Sequence, residues 1–280
     1  MAREHGEQET LQRVWKRANV QLTAEEIKSN LLLATDCEVR NVLHMAAEHG
    51  NLGTLQKIWE WANMKITAEE IKTNLLLATD CTGRTVLHMA AEQSKLEILQ
   101  KVWEWVKEQL TAEEIKTNLL LATEYKGRTV LHMAAEHGKL EILQNVWEWA
   151  NEQLTAEEIK NNLLLATEYK GRTVLHMAAE HGNLKILQKV WEWAKEQLTA
   201  EEIKTNLLLA TEYKGRTVLQ MAAEHGELEK LQGVWEWAKK QLTAEEIKTN
   251  LLLATDCTGR TVLHMAAEHG KLETLQRVWE

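Results

Sequence analysis

The sequence predicts an all-α solenoid of three-helix repeats, and three observations carry that prediction. A 44-residue unit recurs almost verbatim through the 280 residues, its beat kept by Trp15, Trp59, Trp103, Trp147, Trp191, Trp235 and Trp279. A Thr-x-x-Glu helix start recurs at Thr23/Glu26, Thr67/Glu70, Thr111/Glu114, Thr155/Glu158, Thr199/Glu202 and Thr243/Glu246. Between these marks the apolar residues fall at helical spacing. Units of this size cannot bury their own apolar faces, so neighbours must cover one another. The expected form is a right-handed stack making one elongated superhelical domain over residues 1–280. It divides into a partial repeat (1–21), full repeats (22–65, 66–109, 110–153, 154–197, 198–241) and a truncated repeat (242–280).

Residues 110–153 serve as the type copy. Thr111-Ala112-Glu113-Glu114 is a capping-box start, and Ile115, Leu119 and Ala122 continue an apolar face that Leu120 and Leu121 widen. Glu124-Tyr125-Lys126-Gly127-Arg128 is turn material, with Gly127 free to take positive φ. A short helix comes next over 129–137, closed by Gly138 as C-terminal cap. Its Ala134-Ala135 pair marks a face of close approach. A longer helix spans roughly 140–152 with two apolar stripes, Leu140/Leu143/Trp147/Ala150 and Ile142/Val146/Trp149, as expected of a helix covered on two sides.

Composition sets bounds on function. Hydrophobic residues make up 44% of the chain and charged residues 27%; Pro and Phe are absent, and twelve Trp supply the aromatic surface. A net charge of −9 argues against a general nucleic-acid binder while leaving room for a local basic patch. No stretch approaches the length of a membrane span, and MAREHGEQET lacks the apolar core of a signal peptide. Cys37, Cys81 and Cys257 share one repeat position that elsewhere holds Tyr125, Tyr169 and Tyr213, a poor disulfide framework. A reducing, cytoplasmic setting is the expectation.

The segment GRTVLHMAAEHGKLEIL, which recurs in six copies, resembles the ankyrin repeat and its G-x-T-P-L-H-x-A-A pattern. That family's period is about 33; the surplus here is the TAEEIKTNLLLA segment. HEAT and armadillo arrays share the longer period but lack the TxLHxAA core. The family's Pro is replaced by Val86, Val130 and Val174, so the first helix lacks a preset φ. The resemblance implies that His132 hydrogen-bonds Thr129 within its own turn. It also implies that partners are engaged through the turns and the first-helix face.

Candidate chemistry is sparse. Paired histidines such as His132/His137 and His176/His181 are five residues apart, which puts them on different helix faces, and Gln93 and Gln220 each break a pair without disturbing the repeat. No metal, cofactor or catalytic set is expected. The Trp-x-Trp pairs point roughly 200° apart, so each indole is expected to pack on a different neighbouring helix. The turns are more distinctive: Tyr125/Lys126/Arg128, Tyr169/Lys170/Arg172 and Tyr213/Lys214/Arg216 would stack as a ladder of tyrosines and cations. Tyr and Arg are enriched at binding hot spots. Block duplication of one parent copy would yield the same identity without selection.

The leading expectation is a non-catalytic protein-interaction scaffold that uses these nine residues. The alternative is a structural protein that associates end to end through its ragged termini, since non-closing head-to-tail contacts make filaments. Residue 1 falls in the register of residue 45 and Glu280 in that of Glu60, which does not favour direct splicing. A designed scaffold is a third reading, against which the scattered differences between copies argue.

Overall fold

Threonine decides where each repeat begins to coil. The computed structural model describes residues 2–49, 51–225 and 228–268. In it Thr111 accepts the Glu114 N–H (3.3 Å) while its own N–H donates to the Glu114 carboxylate (3.0 Å), the predicted reciprocal box. The same box opens this segment in all six copies. The rest of the segment departs from the expected continuous α-helix. After one α-turn, Ala112–Ile115, the chain widens into a π-turn, Lys116–Leu120, in which the Leu121 N–H reaches the Lys116 carbonyl five residues back. The wider turn directs two consecutive residues inward: Leu119 and Leu120 are both buried while Leu121 is half-buried. Single π-turns often mark functional sites; one repeated in six copies is architectural.

The other two elements lie where the sequence placed them. Thr129 caps the first helix, Val130–Glu136, and Gly138 closes it at φ +76°. The second helix is Leu140–Gln153. Equivalent pairs are Val42–His49 with Leu52–Lys65, Val86–Glu92 with Leu96–Gln109, Val174–Glu180 with Leu184–Gln197, and Val218–Glu224 with Leu228–Gln241. Ala2–Gln21 precedes them, and Val262–Glu268 comes after.

The chain divides into two compact units, Met1–Tyr125 and Lys126–Glu280. Within each, first helix packs on first helix: Val42–His49 on Val86–Glu92, then Val130–Glu136 on Val174–Glu180 on Val218–Glu224 on Val262–Glu268. The Ala-Ala pair of each is buried except in the last, where Ala266 is buried and Ala267 exposed. The tryptophans lock the second helices. Trp61 stacks on Trp15 of the preceding copy and Trp59 on Trp105 of the following one, both with ring centroids 4.2 Å apart. In the second unit Trp193 stacks on Trp147 (4.2 Å) and Trp191 on Trp237 (4.4 Å). The Trp59/Trp61 and Trp191/Trp193 pairs thus each send one ring to the copy before and one to the copy after, as the 200° divergence requires. Such stacks add about 0.5–1.5 kcal/mol apiece beyond the area they bury.

Ion pairs tie successive third segments as well. Lys28 reaches Glu70 at 2.6 Å and Lys160 reaches Glu202 at 3.0 Å, and Lys72–Glu114 and Lys204–Glu246 repeat the contact. With these lysines beside them, and with the capping N–H bonds, Glu70, Glu114 and Glu246 are held down at about 2. These half-buried surface pairs contribute register more than stability.

Candidate protein-interaction surface

The turn between third segment and first helix is built around one acidic residue. In the second unit the Glu168 carboxylate accepts the N–H groups of Lys170 (2.9 Å) and Arg172 (3.3 Å) and the Arg172 Nε–H (3.0 Å). Gly171 takes φ +74°, which lets the loop double back. Glu212, Lys214, Gly215 and Arg216 repeat the arrangement. Adjacent turns are then zipped by backbone bonds of 2.7 Å: Tyr169 N–H to Lys126 O, Tyr213 N–H to Lys170 O, and Cys257 N–H to Lys214 O. A turn braced at its base and tied to its neighbours presents its tip at little further cost in conformational entropy.

What each tip presents differs from what its base holds. Tyr125, Tyr169 and Tyr213 are 68%, 59% and 57% exposed, while most large apolar side chains of the repeat are buried. Lys170 lies over the rings of both Tyr169 (5.3 Å) and Tyr213 (5.4 Å), and Lys214 lies over Tyr213 (5.5 Å). These are cation–π distances. The Tyr169 hydroxyl holds the Lys170 ammonium above its ordinary value, against a smaller opposing effect of burial. Lys126 is half-buried at the start of the second unit.

The arginines turn inward. Arg172 and Arg216 are buried, each shared between the carboxylate four residues before it and one eight residues after: Glu168 and Glu180 for Arg172, Glu212 and Glu224 for Arg216. Burial opposes the charge on Arg172, but the Glu168 and Glu180 carboxylates hold its guanidinium above the ordinary value. Burial likewise pushes Glu180 up, and His181 with Arg172 brings it down to about 2. Arg128 is half-buried and pairs with Glu136. Of the nine residues singled out in the sequence, the tyrosines are exposed, Lys170 and Lys214 lie on their rings, and the arginines tie the turn to the first helix. The sequence treats these arginines as contact residues; their guanidinium groups are instead committed to internal carboxylates.

Beside the turns a polar cleft of about 390 Å³ is lined by Lys170, Tyr213 and Lys214 from the tips, Arg216 from the base, and Glu224 and His225 from a first-helix end. The first helices also carry a buried row that the sequence marks out only in part. His132 and His176 are fully buried. Each ring Nδ1 faces a threonine, at 2.9 Å from Thr129 Oγ1 or Thr173 Oγ1. Nε2 reaches a carbonyl of the next copy, Ala166 at 3.2 Å or Ala210 at 3.3 Å. The Thr129 N–H can only donate and the Ala166 carbonyl only accept, which assigns the neutral tautomer with its proton on Nε2. The Thr129–His132 bond is the one the family resemblance implies; the cross-repeat bond is additional.

Two stretches, residues 43–158 and 103–192, match the family described as "Ankyrin repeats (3 copies)". Together they span more than half of the sequence. The chain belongs to the ankyrin-repeat family. Its fold is also similar to a solved structure described as a predatory endopeptidase from Bdellovibrio bacteriovorus in complex with an immunity protein. That match has a TM-score of 0.55 and 19% identity, and it covers 88% of this chain and 98% of the other. At that identity the likeness shows the ankyrin-like fold alone. No curated protein matches the sequence.

Other observations bear on chemistry. The three cysteines are free and exposed. Among the described residues, no helix is long and apolar enough to cross a membrane, and no group of three or more His, Cys, Asp or Glu is placed to hold a metal ion. His269, Thr274, Trp279 and Glu280, at the C-terminal end of the sequence, lie outside the described residues.

Proposed function

We propose that this ankyrin-repeat chain is a non-catalytic protein-interaction scaffold that engages its partner along the turn edge and the adjoining first-helix face. One observation carries the reading: Tyr125, Tyr169 and Tyr213 stay exposed, the last two at the tips of turns braced at their bases by hydrogen bonds to Glu168 and Glu212. Nothing in the packing of these turns needs an aromatic ring there, since Cys81 and Cys257 stand at the same position on turns braced in the same way by Asp80 and Asp256. Exposed, rigid Tyr is the kind of residue that supplies binding energy at small entropic cost. The arginines serve here as positioning residues, holding each tip on its helix. The similar solved structure is itself recorded in a protein–protein complex.

The test compares the chain with a Tyr125→Ala/Tyr169→Ala/Tyr213→Ala variant as immobilised baits for quantitative capture of protein partners. The variant should match the parent in circular dichroism and melting midpoint, because the rings lie outside the core, yet lose at least tenfold of any specific partner. Equal capture by both baits would defeat the assignment. End-to-end association is the competing structural reading, and light scattering over a wide range of concentrations separates the two: a constant monomer mass favours the scaffold.

A further inference from the structure

The charge of the turn edge points to the chemistry of the partner. Arg172 and Arg216 are each neutralised by two carboxylates, so the base of the edge offers no free positive charge. Lys170 and Lys214 differ: among the described residues no ion pair is formed by either, and both lie on tyrosine faces. An ammonium held on a ring is partly desolvated and already positioned, so an incoming carboxylate has less water to displace and less motion to arrest. Cation and ring also occur together. Where the turn carries Cys instead of Tyr, the lysine position holds Glu38, Thr82 or Thr258, and both threonines bond inward to Asp80 or Asp256. The positive strip is thus confined to the tyrosine-bearing turns of a chain whose net charge is −9. An acidic ligand would be repelled over much of the surface and steered to this strip.

Spacing narrows the ligand further. Packed helices lie about 8–10 Å apart, and each turn leads into one such helix while its backbone is bonded to the next turn. A polyproline-II chain rises about 3.1 Å per residue with three residues per turn, so every third side chain shares a face at intervals of about 9 Å. We propose that the turns at residues 169–170 and 213–214 take an acidic segment of a partner protein in polyproline-II conformation. Carboxylates at every third position meet Lys170 and Lys214, and the intervening residues lie on the Tyr169 and Tyr213 rings. This rests on the turn-edge reading above and gives it a ligand class.

Fluorescence anisotropy of the full chain against synthetic peptides tests it. A repeated Glu-Pro-Pro peptide should bind at least about tenfold more tightly than repeated Lys-Pro-Pro or an alternating Glu-Pro peptide. Its affinity should fall steeply with added salt. Lys170→Glu with Lys214→Glu, both at turn tips, should abolish that preference and transfer it to Lys-Pro-Pro. Equal binding of acidic and basic peptides, indifference to the charge reversal, or equal binding of an oligothymidine would overturn the proposal. The two readings fail separately. If the triple tyrosine variant loses a captured protein partner while the charge-reversed variant keeps it, the scaffold stands and the acidic ligand falls; if neither variant loses it, both fall.

Discussion

Mild acid should loosen the second unit through its two buried histidines, and the chain carries its own control for this. Burial, the dominant effect, depresses both His132 and His176 to about 4, with the Ala166 or Ala210 carbonyl opposing. Geometry supplies a further reason: protonating Nδ1 would set a proton against the Thr129 or Thr173 N–H that now donates to it. In the unfolded chain the same rings titrate near 6.5. The unfolded state therefore binds more protons between about pH 6.5 and 4, and stability falls as pH falls through that window. Between pH 7 and pH 5 the loss is about 2 kcal/mol per ring, or about 4 kcal/mol for the pair. The carboxylates held low by their partners, Glu70, Glu114, Glu180 and Glu246, lose their contribution mainly below about pH 4.5, under the interval from pH 7 to pH 5.

Gln220 occupies the same site one copy on. Its Oε1 accepts the Thr217 N–H (2.9 Å) and its Nε2 donates to Ala254 O (3.1 Å), reproducing the neutral imidazole with an amide that does not titrate. The variant His132→Gln/His176→Gln should therefore fold at pH 7 with a cost of at most about 1.5 kcal/mol per site. Urea denaturation monitored by tryptophan fluorescence at pH 7 and pH 5 should show it losing about 4 kcal/mol less than the parent on acidification. Equal losses in the two proteins would refute the assignment of acid sensitivity to these rings.

Two single residues supply further tests. Val39 stands where the later turns place Gly83, Gly127, Gly171, Gly215 and Gly259, and it adopts φ +63°. A left-handed conformation costs a side-chain-bearing residue about 1–2 kcal/mol, partly recovered against glycine's greater freedom when unfolded. Val39→Gly should then raise the melting midpoint of the first unit by the equivalent of about 1 kcal/mol, and an unchanged or lower midpoint would show that the turn is unstrained. Lys230 is fully buried where Ile98, Ile142 and Ile186 sit in other copies, and its ammonium donates to Gly182 O (2.8 Å) and Ala179 O (3.1 Å). Replacing a buried charge by a residue its neighbours accommodate is commonly neutral to stabilising. Lys230→Ile should hold or raise urea-induced stability by about 1–3 kcal/mol, and a loss above 1 kcal/mol would show that the two carbonyls depend on the lysine.

The sequence by itself determined the element order and most boundaries, because those depend on local rules that repetition amplifies. A threonine three residues before a glutamate caps a helix in every copy, and Gly138 and Gly171 mark positions whose left-handed backbone favours glycine. The ankyrin family and the exposed turn tyrosines were legible for the same reason. The tertiary structure alone decided where the long side chains point. Arg172 reads as a surface cation until Glu180, a full helix away, is brought beside it. The Trp-x-Trp pair reads as core, but the partner of each ring belongs to the copy before or after, which no spacing within one copy specifies. The π-turn hides in three successive leucines, since an α-turn and a π-turn differ by one residue of register and the apolar run Leu119-Leu120-Leu121 suits either. Local hydrogen bonding is written in short stretches of chain, whereas the direction of a long side chain is settled by the lowest-energy partner that folding brings within reach: the end of its own copy's first helix for Arg172, a neighbouring copy for each indole.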